Sequence, residues 1–263
     1  MGLTIQDVID KLISPIGVIE NTVDTLKFGS PNTEITGIAV SFIPTTHVIK
    51  QAIDLGANLL VTHEGAFFSH WDKNELGENQ VFNAKYKLIN ESGIGIFRFH
   101  DYLHRYEPDG IMIGLIQALE WERYVEENLP AATIVSIPTM TVEEVAGHVK
   151  DKLKIDFIRA MGNLSSPCNR IGLLAGYRGG GPVTIPLFEK YNLDLVLYGE
   201  GPEWETPEYV RDAIQQDKKK ALLVLGHAES EEPGMKYLSE LMRGWFPSIP
   251  VHFIAEKPLF TSI

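Results

Sequence analysis

The sequence has little cysteine, few basic residues relative to acidic ones, and no long apolar run. Cys168 is the single cysteine among 263 residues, which excludes a disulfide framework and a cysteine-based zinc site and fits a reducing compartment. Lysine and arginine number 23 against 35 aspartates and glutamates, a net charge of −12. This balance argues against nucleic-acid binding, because phosphate-backbone contacts depend on Lys and Arg. The most continuous apolar stretch, Gly110 to Leu119, is too short to cross a bilayer.

What is present indicates an ordinary globular protein. Hydrophobic residues make up 44% of the chain and charged residues 22%, both typical values for such proteins. The length allows one large domain or two fused lobes. The N-terminal segment carries Asp7, Asp10 and Lys11, which is unlike a signal peptide. We therefore expect a cytoplasmic protein with no membrane or nucleic-acid partner, in which Cys168 is buried as a small hydrophobic residue.

Apolar strands and amphipathic helices alternate along the chain, which predicts an α/β fold. Thr4 and Asp7 form a capping pair for an opening helix. The first half continues with a strand at 37–43, a helix at 46–55, and strands at 58–62 and 93–99. The second half has strands at 171–175, 193–198 and 221–225, and helices at 185–191, 206–216 and from Pro233 to about Trp245. A strand, a capped helix and another strand lie between the two series, at 133–162.

Equivalent points of the two series carry similar residues, which indicates an internal duplication. A Glu-Gly pair follows an apolar strand at Glu64 in the first half and at Glu200 in the second. The number of residues that separates equivalent positions varies along the chain. Loops of different length explain this variation, and a diverged duplication tolerates such loops. We therefore expect a three-layer α/β protein with two related lobes, residues 1–128 and 129–263, and a metal site between them.

Histidines and carboxylates follow the predicted strands at their carboxyl ends, where open α/β sheets place their binding sites. Two pairs have a spacing of four, which puts both side chains on one face where the segment is helical. A single histidine of this kind is more simply interpreted as a hydrogen-bonded structural residue. As a set they predict a metal site, because imidazole and carboxylate are common ligands of Zn, Mn, Fe and Co. The set consists of His63, Glu64, His100, His104, His227 and Glu231.

Three other features have a structural and a functional interpretation. His70, beside Trp71, is expected to be structural or to lie at the entrance of the site. Glu200 is expected to be structural or to act as an acid in the pocket. The glycine-rich loop at 179–181 is expected to be a tight strand-to-helix turn, although its backbone amides could also hold an anion.

These segments resemble the family of dinuclear-metal hexameric proteins named for similarity to an NGG-interacting factor, also labelled GTP cyclohydrolase I type 2-like. The resemblance covers nearly the whole chain. It rests on Asn58-Leu-Leu-Val-Thr-His-Glu-Gly-Ala-Phe-Phe68, Phe99-His-Asp-Tyr-Leu-His104, Leu193 to Gly201, and Gly226-His227 with Glu231.

The resemblance implies two divalent cations that share Glu231. One cation would also take His63 and His227, and the other would take the residues at Glu64 and His104. At these last two positions the family has His and Asp. Glu64 therefore replaces a nitrogen ligand with an oxygen ligand, and His104 replaces an oxygen ligand with a nitrogen ligand. The total of three imidazoles and two carboxylates is unchanged, and we expect two ions in an altered geometry.

Two functions are compatible with such a centre. The first is a metal-dependent hydrolase, cyclohydrolase-like or phosphoesterase-like, that acts on a small nucleotide or phosphate-containing substrate through metal-activated water. Glu200, His100 and Asp101 are the candidate acids and bases, and Asp101 would also replace His104 as a ligand if that ring points away. The second is a non-catalytic metal-binding, metal-delivery or interaction scaffold. The resemblance implies a ring-shaped homo-hexamer in either case.

Overall fold

The computed structural model describes residues 2–71 and 79–261, and these form two compact units. The first unit contains the chain up to Gly110 together with Met235–Lys257, and the second contains Ile111–Gly234 and the residues from Pro258. The predicted lobe boundary between residues 128 and 129 stays a prediction. No helix among the described residues is long and apolar enough to span a membrane.

The first unit is built on a five-stranded sheet with the order β1-β4-β3-β2-β11. Strands β2, β3, β4 and β11 are parallel to their neighbours, and the edge strand β1 is antiparallel to β4. The strands of this sheet are β1 (Leu26–Phe28), β2 (Ile38–Ser41), β3 (Leu59–Thr62), β4 (Gly95–Arg98) and β11 (Val251–Phe253). Its helices are α1 (Ile5–Ile13), α2 (Thr46–Asp54), α3 (Gln80–Ser92) and α4 (Asp101–His104).

The second unit is built on a six-stranded sheet with the order β5-β6-β8-β9-β10-β7, in which β8, β9 and β10 are parallel. Its strands are β5 (Val125–Asn128), β6 (Thr133–Thr141), β7 (Arg159–Met161), β8 (Pro167–Leu174), β9 (Leu195–Tyr198) and β10 (Ala221–Val224). Its helices are α6 (Val142–Leu153), α7 (Gly181–Lys190) and α8 (Thr206–Gln215). A 3-10 turn covers Glu122–Tyr124, and the chain passes between the units within α5 (Gly110–Ala118) and α9 (His227–Trp245).

The α/β class predicted from the sequence is confirmed. Each sheet contains three parallel strands in chain order, β2-β3-β4 and β8-β9-β10. An antiparallel strand lies beside the third member in both sheets, β1 beside β4 and β7 beside β10. This similarity agrees with a duplication, which itself stays a prediction.

Apolar residues of each sheet and its helices form a separate core. In the first unit β2, β3 and β4 are buried along their whole length and pack against the apolar face of α2, including Val48 and Ile49. In the second unit Phe188 of α7 and Val210 of α8 pack on β9 and β10. Because these strands are fixed by buried side chains, the residues that follow their carboxyl ends are held in defined positions.

Local sequence signals explain most element boundaries. Thr4 and Asp7 form the predicted capping box of α1, and Thr141 and Glu144 form one at the start of α6. The predicted start of the last helix at Pro233 is wrong, because α9 begins at His227 and contains Pro233 in its interior. An interior proline loses the hydrogen bond of its own N–H and crowds the carbonyl four residues back, yet α9 continues through Pro233 for a further twelve residues to Trp245. Cys168 is buried as expected, and burial raises the pKa of its thiol to about 11.

Candidate metal centre

Two parallel strands of the first unit bring its histidines together. Thr62 at the end of β3 lies opposite Arg98 at the end of β4. The segments that leave these strands therefore begin side by side at one edge of the sheet. His63 follows β3 directly, and His100 follows β4 after one intervening residue.

A short helix adds a third imidazole to this edge. The backbone N–H of His104 donates to the His100 carbonyl over one turn of α4 (3.1 Å). The buried carboxylate of Asp24 accepts from the backbone N–H of His100 (2.8 Å) and of Tyr102 (2.9 Å). Asp24 thus caps the N-terminus of α4 from a distant segment, which fixes a helix too short to be stable alone.

The three histidine rings form a close cluster. The ring centres of His63 and His100 are 4.4 Å apart, and each lies 4.9 Å from the ring centre of His104. One ligand nitrogen from each ring can be chosen so that all three lie within 4.8 Å of one another. His63 is fully buried, and the other two rings are mostly buried.

Each of the three rings is oriented by an oxygen acceptor at its Nδ1. His63 Nδ1 donates to the carbonyl of Phe99 (3.3 Å). His100 Nδ1 lies 2.9 Å from Asp101 Oδ1, and His104 Nδ1 lies 3.0 Å from a carboxylate oxygen, Asp109 Oδ2. Metal-binding histidines have this arrangement, because the bond at one nitrogen fixes the tautomer and makes the other nitrogen the ligand. The donor set therefore fits a divalent cation.

The carboxylate behind His100 is strongly acidic. Hydrogen bonds from the His100 ring and from the Thr22 hydroxyl (2.8 Å) hold the pKa of Asp101 well below its usual range, against the opposing effect of burial. At neutral pH Asp101 is therefore an acceptor that aligns His100.

A second group in the same unit is organised around Arg98. Ligand atoms of Glu64, His70 and His100 also lie within 4.8 Å of one another. The guanidinium of Arg98 donates to Glu64 Oε2 (3.0 Å) and contacts His70 Nδ1 (3.1 Å). His70 is exposed as a residue, but lost hydration and the Arg98 charge hold the pKa of its ring below the ordinary value. The sequence predicts no role for Arg98, and it predicts for His70 either a structural role or a place at the site entrance.

The second unit contains its own polar group, in which His227 lies between two carboxylates. His227 Nδ1 is 2.8 Å from Glu200 Oε1, and His227 Nε2 is 3.0 Å from Glu231 Oε2. Glu200 follows β9, whereas His227 and Glu231 lie one turn apart in α9. The side chain of Glu231 is 3% exposed. This group combines an imidazole and a buried carboxylate, both of which suit a cation.

Close backbone packing holds Glu231 in place. Gly176 has a φ of +65°, and a Cβ at that position would lie 2.0 Å from Glu231 Oε1. Its N–H donates to the hydroxyl of Ser230 (2.9 Å), which in turn donates to the carbonyl of His227 (2.8 Å). Only glycine satisfies both the backbone conformation and the space beside the carboxylate.

The glycine-rich loop at 179–181 forms the start of α7, with Gly180 as its N-cap. The N–H of Gly181 donates to Glu205 Oε2 (2.7 Å). A carboxylate of the protein itself therefore accepts from this helix end, and the strand-to-helix interpretation describes the loop.

Sequence comparison identifies the family. The sequence profile of Duf34/NIF3 (NGG1p interacting factor 3) matches residues 4–258. The chain belongs to the Duf34/NIF3 family.

Two relatives show how low the sequence identity is between this chain and other proteins that resemble it. A protein of Clostridium perfringens named GTP cyclohydrolase 1 type 2 homolog is 23% identical over 266 residues, which cover 97% of this chain and 97% of the relative. A protein of the same name from Chlamydia pneumoniae is 23% identical over 230 residues, which cover 84% of this chain and 85% of the relative.

Solved structures share the fold. A hypothetical protein of Staphylococcus aureus superposes with a TM-score of 0.77 at 19% identity and 100% coverage of both chains. A Bacillus cereus protein related to NIF3 superposes with a TM-score of 0.74 at 14% identity and 99% coverage of both chains. Identities this low establish the NIF3 fold alone.

Proposed function

We propose that this protein is a metal-dependent hydrolase of a small nucleotide or phosphate-containing molecule. The observation that carries the proposal is the cluster of three imidazoles, each oriented at Nδ1 by an oxygen acceptor. A bound divalent cation supplies a water of lowered pKa and polarises a phosphoryl or carbonyl oxygen. The family resemblance implies two such ions, of which the imidazoles of the first unit support one directly.

The chain's own residues supply proton transfer and orientation. His100 belongs to the imidazole cluster, and Asp101, which stays ionised, holds its ring by the 2.9 Å contact. In the second unit, Glu200 is 44% exposed and contacts His227, so it can exchange a proton with a ligand from solvent. We propose Glu200 as the acid or base, His100 as a metal ligand, and Asp101 as the residue that positions His100.

A cavity in the second unit supports a small planar or anionic substrate. It has a volume of about 370 Å³, which is within the range of small-molecule sites. Trp204, 76% exposed, offers an aromatic face, and Arg159 and Arg211 lie in the same lining. Aromatic faces stack with nucleobases and arginine binds phosphate oxygens. Both arginines pair with a glutamate of the same lining, Arg159 with Glu203 (2.6 Å) and Arg211 with Glu208 (3.4 Å), so a phosphate would compete with these carboxylates.

Metal analysis tests the binding half of the proposal. Wild-type protein is purified, and its metal content is measured by mass spectrometry beside His104→Ala, Glu231→Ala and the control His47→Ala, an exposed histidine of α2. We expect bound metal in the wild type and in the control, and a loss of metal in both site variants. Wild-type protein that binds no metal would refute the proposal.

Activity assays test the catalytic half. A panel of phosphoesters and nucleotides is incubated with the metal-loaded wild type, with added Mn²⁺ or Zn²⁺, and with His100→Ala. We expect turnover of at least one phosphate-containing compound and its loss in the variant. Metal binding without turnover of any compound would favour the non-catalytic scaffold instead. The homo-hexamer that the resemblance implies stays a prediction that analytical ultracentrifugation tests.

A further inference from the structure

Arg98 is the last residue of β4 and its side chain is 0% exposed. Its Nε donates to the carbonyl of His63 (3.1 Å), and one terminal nitrogen donates to the carbonyl of His70. The other terminal nitrogen contacts Glu64 Oε2 (3.0 Å) and His70 Nδ1 (3.1 Å). The guanidinium is therefore fixed at several points by residues of the candidate centre.

The group of Glu64, His70 and His100 has the ligand types and spacing of a cation site. Two of its three members, however, already bond to the Arg98 guanidinium. A guanidinium stays protonated at all accessible pH values, has no lone pair to give, and repels a divalent cation. The spacing of the ligand atoms alone would predict a bound cation at this group. The hydrogen bonds show instead that the permanent positive charge of Arg98 lies there.

We infer that Arg98 takes the place of a cation beside Glu64 and His70, so that the first unit binds one divalent ion, at the three imidazoles. This inference rests on the proposed metal-binding function. It also assigns Glu64 Oε2 to Arg98 instead of to an ion of the first unit.

The charges of Arg98 and Glu64 determine which ligands remain for the ion of the first unit. The positive charge of Arg98 offsets the negative charge of Glu64, and the ion of the first unit is left with neutral imidazole ligands. Three nitrogen ligands with an open position are a known catalytic arrangement for zinc. Such a set favours Zn²⁺ or Co²⁺ over Mn²⁺, which prefers oxygen ligands. It also leaves the ion its full charge toward an anionic oxygen.

Cobalt titration of the full chain tests the inference. Metal-stripped protein is titrated with Co²⁺ alone, and bound equivalents and the visible absorption of Co²⁺ are recorded for wild type, Glu64→Gln and His104→Ala. We expect Glu64→Gln to bind as many equivalents as wild type with an unchanged spectrum, and His104→Ala to lose one equivalent. Loss of one equivalent in Glu64→Gln would overturn the inference. Retention of all equivalents in His104→Ala would instead overturn the proposed function.

A second pair of variants tests the role of Arg98 directly. Arg98→Met removes the guanidinium, and we expect it to bind one more equivalent of Co²⁺ than wild type. The double variant Arg98→Met/Glu64→Gln removes the carboxylate as well and is expected to bind no extra ion. A folded Arg98→Met protein, verified by circular dichroism, without the extra equivalent would contradict the inference. If this variant does not fold, the Glu64→Gln titration decides the question independently.

Discussion

Lys85 of α3 is a buried cation whose charge should make the stability of the protein depend on pH. It is 6% exposed, and its ammonium donates to the carbonyl of Ala66, two residues after Glu64. It also lies over the rings of Phe67 (5.5 Å) and Phe68 (5.9 Å). Burial lowers its pKa from 10.5 to about 8.

The sign of the effect follows from proton binding. Between pH 8 and 10.5 the folded protein binds fewer protons at Lys85 than the unfolded chain does. The free energy of unfolding therefore rises with pH over this window. The unfavourable burial of the charge is fully present below pH 8 and absent above 10.5. The difference between the folded and unfolded pKa values of Lys85 corresponds to a change of about 3 kcal/mol in the free energy of unfolding.

Urea denaturation at several pH values measures this contribution. Wild type is compared with Lys85→Met, and the control is Lys87→Met, whose lysine lies in the same helix with a side chain 72% exposed. We expect wild-type stability relative to Lys85→Met to rise by about 3 kcal/mol between pH 8 and 10.5. Relative to Lys87→Met it should stay flat. A flat difference for Lys85→Met as well would refute the reasoning, because it would show that the buried ammonium titrates as it does in water.

Two further predictions concern the supports of the polar groups. Asp109→Asn weakens the acceptor of His104 Nδ1, and we expect metal affinity measured by calorimetry to fall by about 10-fold to 100-fold; an unchanged affinity would show that Asp109 does not orient the ring. Gly176→Ala places a Cβ against Glu231 in a left-handed conformation, and we expect a loss of about 1–3 kcal/mol in thermal denaturation together with reduced metal content. The control Gly147→Ala, in an open position of α6, should instead stabilise the protein by roughly 0.5–1 kcal/mol.

The fold was predictable wherever local signals and burial agree. The capping box at Thr4 and the alternation from β2 through α2 to β3 follow directly from the sequence. Helix α3 was not predicted, because its buried positions include the charged Lys85 beside Ile89 and its apolar face is weak. Strand β1 has only three residues, all half-buried, which is too short for a periodic pattern.

The site was predictable where its residues are close in the sequence. The spacing of His227 and Glu231 places both on one turn of α9, and they are in contact in the structure. Arg98 was missed because it stands inside an otherwise apolar strand pattern. Its partners come from other segments, His70 being 28 residues away, and a pattern along the chain carries no information about contacts across neighbouring strands.

The pair of the buried Arg98 and the half-buried Glu64 constrains how this centre can change by mutation. Removal of the Glu64 carboxylate leaves the Arg98 charge, whose side chain is 0% exposed, without its carboxylate partner, and loss of one partner of a buried pair costs up to about 3–5 kcal/mol. Replacement of both partners by apolar residues of similar volume is often neutral or even stabilising. The two positions are therefore epistatic, and a descendant of this chain would reach a different ligand set more readily by a paired exchange than through either single intermediate.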